Sequence, residues 1–355
     1  MGKQVSIKEI ARMAGVSAGT VDRVIHNRGK VSKKAQDAVN AVLEKVDYRS
    51  KIHASAISLK KGFKLILTIP VANKGEYWHS MECGFNHALK EYSDIRISVE
   101  HCFYDQFDVF SCKEAFSHII EQKPDGVIIG PTFKEETKEL CDNLDTENIP
   151  YVFVDASIDD THPIATFSID QEACGKLIGK LLFNIIAPED KIAIFSIKRT
   201  GNAHSENSQK REKGLLEFAN EIGRSNSVLK ISVPISGSGG KSEEVTRFFR
   251  ENSDIRGVAV MNSRGQLIAQ TLKDSGIEGI KLICFDLTDN NKSSVENGEI
   301  FALLCQRPQL QGFGAIESMI RYLLYNLPEA EPNHILPIDI VVKENLPFYQ
   351  EVIAK

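Results

Sequence analysis

From Phe63 to Gln306 the chain repeats one pattern: short apolar runs alternate with segments of helical periodicity. KLILTI (64–69), IRISVE (95–100), GVIIG (126–130), YVFVD (151–155) and ATFSI (165–169) come first. KIAIFSI (191–197), VLKISVP (228–234), GVAVM (257–261), KLICFD (281–286) and FALLCQ (301–306) continue the series. Helical segments lie between them, at 78–92, 134–147, 171–187, 205–223, 263–275 and 309–326. Runs this apolar need cover on both faces, and intervening helices provide it. The pattern predicts parallel sheets wound with helices on both sides. Ten strands suit two doubly wound lobes rather than one sheet. Ligands of such folds sit at the carboxyl ends of the strands.

The first 62 residues are built differently. SIKEIARMAGVSAGTVDRVIHN (6–27) reads as two short helices joined by a tight turn at Ala14-Gly15-Val16. Ser6 and Ser17 stand where a hydroxyl can accept from first-turn N–H groups. Ile7, Ile10 and Ala11 on one helix, and Val21, Val24 and Ile25 on the other, face inward. This is the helix-turn-helix pattern, whose second helix enters the DNA major groove. A third helix is expected from Ser32, with Ala35, Val39, Val42, Leu43 and Val46 covering the other two. Arg28-Gly29-Lys30 forms a loop suited to phosphate, and residues 48–61 read as a short, weak helix between basic ends.

Charge divides along the same line. Residues 1–61 carry 13 Lys and Arg against 5 Asp and Glu, a net of +8; the remainder carries 30 against 43, a net of −13. A basic head on an acidic body points to a polyanion partner for the head alone. The seven cysteines are scattered and form no C-x-x-C, which argues for reduced thiols and against a zinc site. MGKQVSIKEI has no apolar signal core, and no apolar run is long enough to span a bilayer, so a cytoplasmic protein without a membrane partner is expected. SGSGGKS (236–242) fails the P-loop pattern because Ile235 stands where the first glycine belongs. No nucleophile elbow, zincin motif or metal-spaced cluster is present, so neither enzymatic activity nor a cofactor is expected.

The stretch VSIKEIARMAGVSAGTVDRVIHNRGKVS, the Tyr48 after it and the hinge at 51–58 closely resemble the LacI/GalR family of transcription regulators, and the resemblance extends over the rest of the chain. It implies an all-α helix-turn-helix head (1–50), a hinge helix and linker (51–62), and an α/β effector-binding and dimerisation body (63–355). The body resembles periplasmic sugar-binding proteins, with the chain crossing between lobes near 166–171, 298–308 and 328–336. It further implies a homodimer on a near-palindromic operator, acting as a repressor. The implied DNA contacts are Ser6, Ser17, Ala18, Thr20, Arg23, His26, Asn27, Arg28 and Lys30. Ile57 matches the apolar wedge that opens a base step; on the residues alone it fits a small satellite core equally well. Two departures stand out. Ala18 and Gly19 occupy positions where relatives carry large base-reading side chains, so readout must lean on Thr20, Arg23, His26, Asn27 or DNA shape. Asp22 replaces a usual Ser, and surface salt-bridging is its expected role.

For the body, the resemblance implies an effector cleft. Tyr77 and Trp78 form an aromatic pair at a helix start, able to stack on a sugar ring; a packed core pair is the alternative. Arg211 in QKREKG and Gln306 in CQRPQLQG match the family's ligand-binding segments. Asn262 in VMNSRG and Asp286 in CFDLTD stand at strand ends, and Asp170 at the first crossing. Helix capping competes with ligand binding for Asp170 and Asp286. Together these groups suit a sugar or polyol, with a purine second. The rival reading is a solute-binding module for a sugar or purine with no regulatory DNA role.

Overall fold

The computed structural model describes residues 7–25, 31–45, 62–198, 205–234, 242–325, 329 and 331–350. In the head, α1 (Ile7–Ala14), α2 (Ala18–Ile25) and α3 (Lys33–Lys45) pack together. Ile10, Ala11, Val21, Val24, Val39 and Val42 form its core. Gly15, at φ +65°, ends α1, and the Val16 N–H returns to the Ala11 carbonyl at 2.9 Å. Such a left-handed position favours glycine. Ser17 and Ser32 cap α2 and α3, their hydroxyls accepting from Thr20 and Ala35 N–H groups at 3.0 and 3.4 Å.

The body holds two sheets of six strands. The first lobe contains β1 (Phe63–Thr68), β2 (Ile97–His101), β3 (Gly126–Ile129), β4 (Tyr151–Asp155) and β5 (Ala165–Ser168). With β11 (Asn333–Ile335) at its edge, it runs β11-β5-β4-β3-β1-β2, all parallel. The second contains β6 (Lys191–Lys198), β7 (Val228–Pro234), β8 (Ile255–Val260), β9 (Lys281–Phe285) and β10 (Ala302–Cys305). It runs β12-β10-β9-β8-β6-β7, and only β12 (Asp339–Val341) is antiparallel.

Alternate residues of each strand enter different cores, as strand geometry requires. Leu65, Leu67, Val152 and Val154 face one side of the first sheet; Ile66, Tyr151 and Phe153 face the other. In the second sheet, Ile194, Ile283 and Phe285 oppose Phe195, Leu282 and Cys284 in the same way. Both faces are thus dry, which is why these strands read as apolar runs rather than alternating ones. The expected two-lobed, doubly wound body is present. Three helices were not among the expected segments: α5 (Val109–Ser117), α9 (Glu243–Glu251) and α11 (Asp289–Glu296). All three are short; α5 and α11 have weak apolar periodicity, while α9 is strongly amphipathic, burying Val245 and Phe249 on one face, a periodicity the sequence reading missed.

The main helices of the first lobe are α4 (Tyr77–Glu91), α6 (Lys134–Thr146) and, returning late in sequence, α12 (Pro308–Tyr325). Those of the second are α7 (Gln171–Ile185), α8 (Glu206–Glu221) and α10 (Gly265–Asp274). The chain passes from the first lobe to the second between Ser168 and Gln171. It returns between Cys305 and Pro308 and passes over again between Ile335 and Asp339. One helix contact positions the site. Gly175 of α7 and Gly214 of α8 face each other's backbones: a Cβ on Gly175 would lie 1.8 Å from the Arg211 carbonyl, and one on Gly214 2.0 Å from that of Glu172. Only glycine allows this approach, and it sets Arg211 beside Gln171.

Candidate functional site

The carboxyl ends of the two sheets face each other across a cavity of about 70 Å³. Tyr77, Trp78, Arg211, Asn262, Asp286 and Gln306 line it, drawn from both lobes. Asp170 does not. It is exposed, and its carboxylate accepts from the Ala173 N–H at 2.9 Å as the cap of α7. Of the two uses open to a carboxylate at this strand end, ligand contact and helix capping, the fold takes capping.

Four further lining residues carry chemistry the sequence reading missed: Asp155, Asn207, Glu206 and Lys134. Asp155 ends β4 as Asp286 follows β9, and these strands hold the same place in their two sheets. Both aspartates have positive φ, +72° and +66°, a conformation Asp and Asn tolerate better than most residues. The final letter of YVFVD thus carried the same signal as that of KLICFD.

These groups form one buried hydrogen-bonded chain. Tyr77 donates to Asp155 Oδ1 at 2.6 Å, and Asn207 Nδ2 to Asp155 Oδ2 at 2.9 Å. Gln171 donates to the Asp155 carbonyl at 3.2 Å, and its own Oε1 accepts from Arg211 Nε at 2.6 Å. Arg211 also donates to the Met261 carbonyl at 2.8 Å and to Gln306 Oε1 at 2.7 Å, with its guanidinium 3.7 Å over the Phe285 ring. Gln306 Nε2 reaches both oxygens of Asp286, at 3.0 and 2.9 Å. All three guanidinium nitrogens of Arg211 therefore donate to the protein, so its first role is to hold the lobe's polar groups in register.

Burial pushes the Asp286 carboxyl up to about 7, although the Arg211 charge and the Gln306 hydrogen bonds pull the other way. Burial, then the nearby Asp155 and Asp286 charges, raise the Tyr77 phenol further, keeping it a donor. Trp78 is 4 % exposed, and its ring lies on Gly130, where a Cβ would come within 2.7 Å. It is at once core and cavity wall. Asn262 turns its Oδ1 to the Arg264 N–H at 3.0 Å, which aims its amide nitrogen elsewhere.

Contacts cross the cleft at its rim. Lys134 of α6 lies 3.7 Å from Glu206 of α8, and Arg264 stacks 4.6 Å from the Phe107 ring centroid. The Gly75 carbonyl accepts from the Asp289 N–H at 3.0 Å. Glu206 Oε2 is buried with no hydrogen-bond partner among the described residues. The cavity thus sets the carboxylates of Asp155, Asp286 and Glu206 beside an indole, with amide, hydroxyl and ammonium donors from Asn207, Asn262, Tyr77 and Lys134 in the same lining. Such a site can both donate to and accept from a hydroxylated molecule. Among the described residues no cluster of His, Cys, Asp and Glu could hold a metal ion, and no helix is long and apolar enough to cross a membrane.

In the head, Ala18, Gly19 and Arg23 are exposed along α2, and Thr20 is half-buried. The Ser17 and Thr20 hydroxyls lie 2.8 Å apart, so Ser17 caps the helix and orients Thr20 together. Ser6, His26, Asn27, Arg28, Lys30 and Ile57 lie outside the described residues, as does most of the 51–62 hinge.

Residues 6–51 match the family model for bacterial regulatory proteins of the lacI family, and residues 66–326 match a periplasmic binding protein domain. Catabolite control protein A of Staphylococcus aureus strain Mu50 is 27% identical over 354 residues, covering 94% of this chain and 96% of its own. A solved structure assigned as a LacI transcriptional regulator from Bacteroides fragilis superimposes with TM-score 0.77 at 29% identity, covering 82% of this chain and all of that one. GanP, a glucose-galactose binding protein from Geobacillus stearothermophilus, shares the body's fold with TM-score 0.68 at 17% identity over 81% of this chain and all of its own. The chain therefore joins a lacI-family head to a domain of the periplasmic binding protein family, and is a DNA-binding transcription regulator with a ligand-binding domain.

Proposed function

We propose that this regulator senses a sugar or polyol in the inter-lobe cavity and represses transcription as a cytoplasmic homodimer on a near-palindromic operator. The observation that carries the effector class is that carboxylates (Asp155, Asp286, Glu206), amides and hydroxyls line one cavity with the Trp78 indole. A carboxylate oxygen can accept a second hydrogen bond, and a hydroxylated ring brings several donors and acceptors at fixed spacing together with an apolar face for the indole. A planar purine brings fewer.

In this reading the head is 1–50, the hinge 51–62 and the effector domain 63–355. Ser17, Ala18, Thr20 and Arg23 contact DNA together with Ser6, His26, Asn27, Arg28, Lys30 and the Ile57 wedge. Tyr77, Trp78, Asn262 and Asp286 meet the effector, while Arg211 and Gln306 hold the site in shape. Effector binding changes the angle between lobes, the spacing of the two hinges and hence operator affinity. A thermal-shift screen over sugars, polyols and purines tests it, repeated with DNA from upstream of the protein's own gene. Stabilisation by a hydroxylated ligand, with changed operator affinity, is expected; stabilisation by purines alone would overturn the effector class.

A further inference from the structure

Both rims of the cleft are stiff where they meet. In the first lobe, the loop before α4 is stapled to itself: the Glu76 N–H donates to the Asn73 carbonyl at 3.1 Å, and the Glu76 carboxylate accepts from the Asn73 N–H at 2.8 Å. In the second lobe, Asn291 is fully buried in the first turn of α11. Its Nδ2 reaches the Ser263, Phe285 and Asp286 carbonyls at 2.9, 2.9 and 3.0 Å, and its Oδ1 accepts from the Gln266 N–H at 3.0 Å. Asn291 thereby ties the loop after β9 to the loop after β8, and neither can move alone.

The two stiff loops are joined across the cleft by main chain. The Asp289 N–H donates to the Gly75 carbonyl at 3.0 Å. Gly75 sits at φ +86°, and a Cβ there would lie 2.2 Å from the Asp289 carboxylate, so only glycine lets the rims approach this closely. Beside this bond, the Arg264 guanidinium stacks on the Phe107 ring of the other lobe, and Lys134 faces Glu206. Each contact joins two groups of this chain, so closure needs no bridging molecule. The hydrogen bond favours the closed angle by about two- to tenfold, the cation–π pair by about two- to fivefold and the exposed ion pair by little. Together they make the open form a minor but accessible state, on the order of a tenth of the molecules or less. Gly75 stands two residues before Tyr77, and Asp289 three after Asp286. The bond therefore fixes the distance between two walls of the cavity.

We infer that Gly75–Asp289, backed by Arg264–Phe107, is a latch that holds the lobes closed by the chain's own contacts, so that the cleft must unlatch before anything enters or leaves it. As regulation of the cleft this rests on the proposed sensing role; the latch itself is tested without any effector, so its failure leaves that role standing. Trp78, the chain's single tryptophan, lies just behind the latch, 4 % exposed in the cavity wall, and reports opening directly. Acrylamide quenching of its fluorescence and small-angle X-ray scattering are measured together on the effector-free full chain, the second because it reads lobe separation independently of the indole. Gly75→Ala drives a Cβ into Asp289 and breaks the main-chain bond; Arg264→Ala removes the stacked cation and leaves both lobe cores untouched. Wild type should quench weakly. Gly75→Ala should raise the quenching constant at least about twofold with a red-shifted emission and a larger radius of gyration, and Arg264→Ala should move all three the same way by less. Wild-type Trp78 quenched as readily as in urea-unfolded protein, or a radius of gyration that neither variant changes, would overturn the latch.

Discussion

Replacing Asp286 by Asn should make the protein more stable, and increasingly so as pH rises. Asn keeps the shape, accepts from Gln306 and tolerates the +66° φ at this position; Ala would add backbone strain. The magnitude follows from the carboxyl's shift, from 3.8 to about 7. With its folded pKa raised, the native state holds this proton more tightly than the unfolded chain does. The resulting stability is complete below about pH 4 and is lost as pH rises through about 7. At 1.36 kcal/mol per unit, the ionised form costs the native state about 4 kcal/mol, the Arg211 attraction already included. Asn does not ionise and escapes that cost. Urea unfolding of ligand-free protein, followed by circular dichroism, should show the variant's advantage growing by about 2 kcal/mol between about pH 5.5 and pH 8. Effector affinity should fall, since the ligand loses its best acceptor. An advantage that is flat with pH, or a variant less stable at pH 8, would refute the account of Asp286 as a buried, poorly compensated carboxylate kept for binding.

Other consequences are separately measurable. Gly175→Ala should destabilise the second lobe by about 1–3 kcal/mol or more in urea unfolding, because its Cβ meets the Arg211 carbonyl at 1.8 Å; effector affinity should fall as α8 moves. Tyr77→Phe removes the 2.6 Å bond to Asp155 and should cost about 1.5–3 kcal/mol in thermal or chemical unfolding. Arg211→Lys should weaken effector binding nearly as much as Arg211→Ala while operator binding persists, because an ammonium cannot span Gln171, Met261 and Gln306 at once. Deleting residues 1–61 should abolish operator binding and spare effector binding. Operator binding by the full chain should weaken steeply with salt, as phosphate contacts by a +8 head require.

Elements were legible where burial is two-sided. YVFVD coincides with β4, where all five residues are buried, because every residue of a covered strand is constrained. The edge strand β2 is displaced from IRISVE, and β11 and β12 went unread, because strands of three residues with exposed positions carry little pattern. Position along a strand brings Asp286, Asn262 and Gln306 to the cavity lining. Asp170 lies off it and serves as the helix cap, the rival use of the same carboxylate at the same kind of place. Asn207 and Glu206 were unreadable for a different reason. They lie on a helix start whose approach to Asp155 and Lys134 depends on how the two lobes meet, which no local pattern encodes.

That dependence also explains why the site and the lobe passages cannot be treated separately. Gln171 and Gln311 follow the first and second passages between lobes, and both are buried. Gln171 donates to the Asp155 carbonyl, and Gln311 Oε1 accepts from the Asp155 N–H at 2.8 Å. Each glutamine uses its other end on the second lobe's machinery: Gln171 accepts from Arg211, and Gln311 donates to the Gln306 carbonyl at 2.9 Å. Both main-chain polar groups of a cavity-lining aspartate are therefore committed to residues beside the segments that pass between the lobes. Buried amide bonds of this kind cannot stretch; they hold or they break, and an unmade one costs about 1–3 kcal/mol. A change in lobe angle consequently shifts Asp155, and a ligand that fixes Asp155 resists that change. In the function proposed above, effector binding and lobe angle are two readings of one hydrogen-bonded network, which is the physical requirement for a cleft that reports to a DNA-binding head.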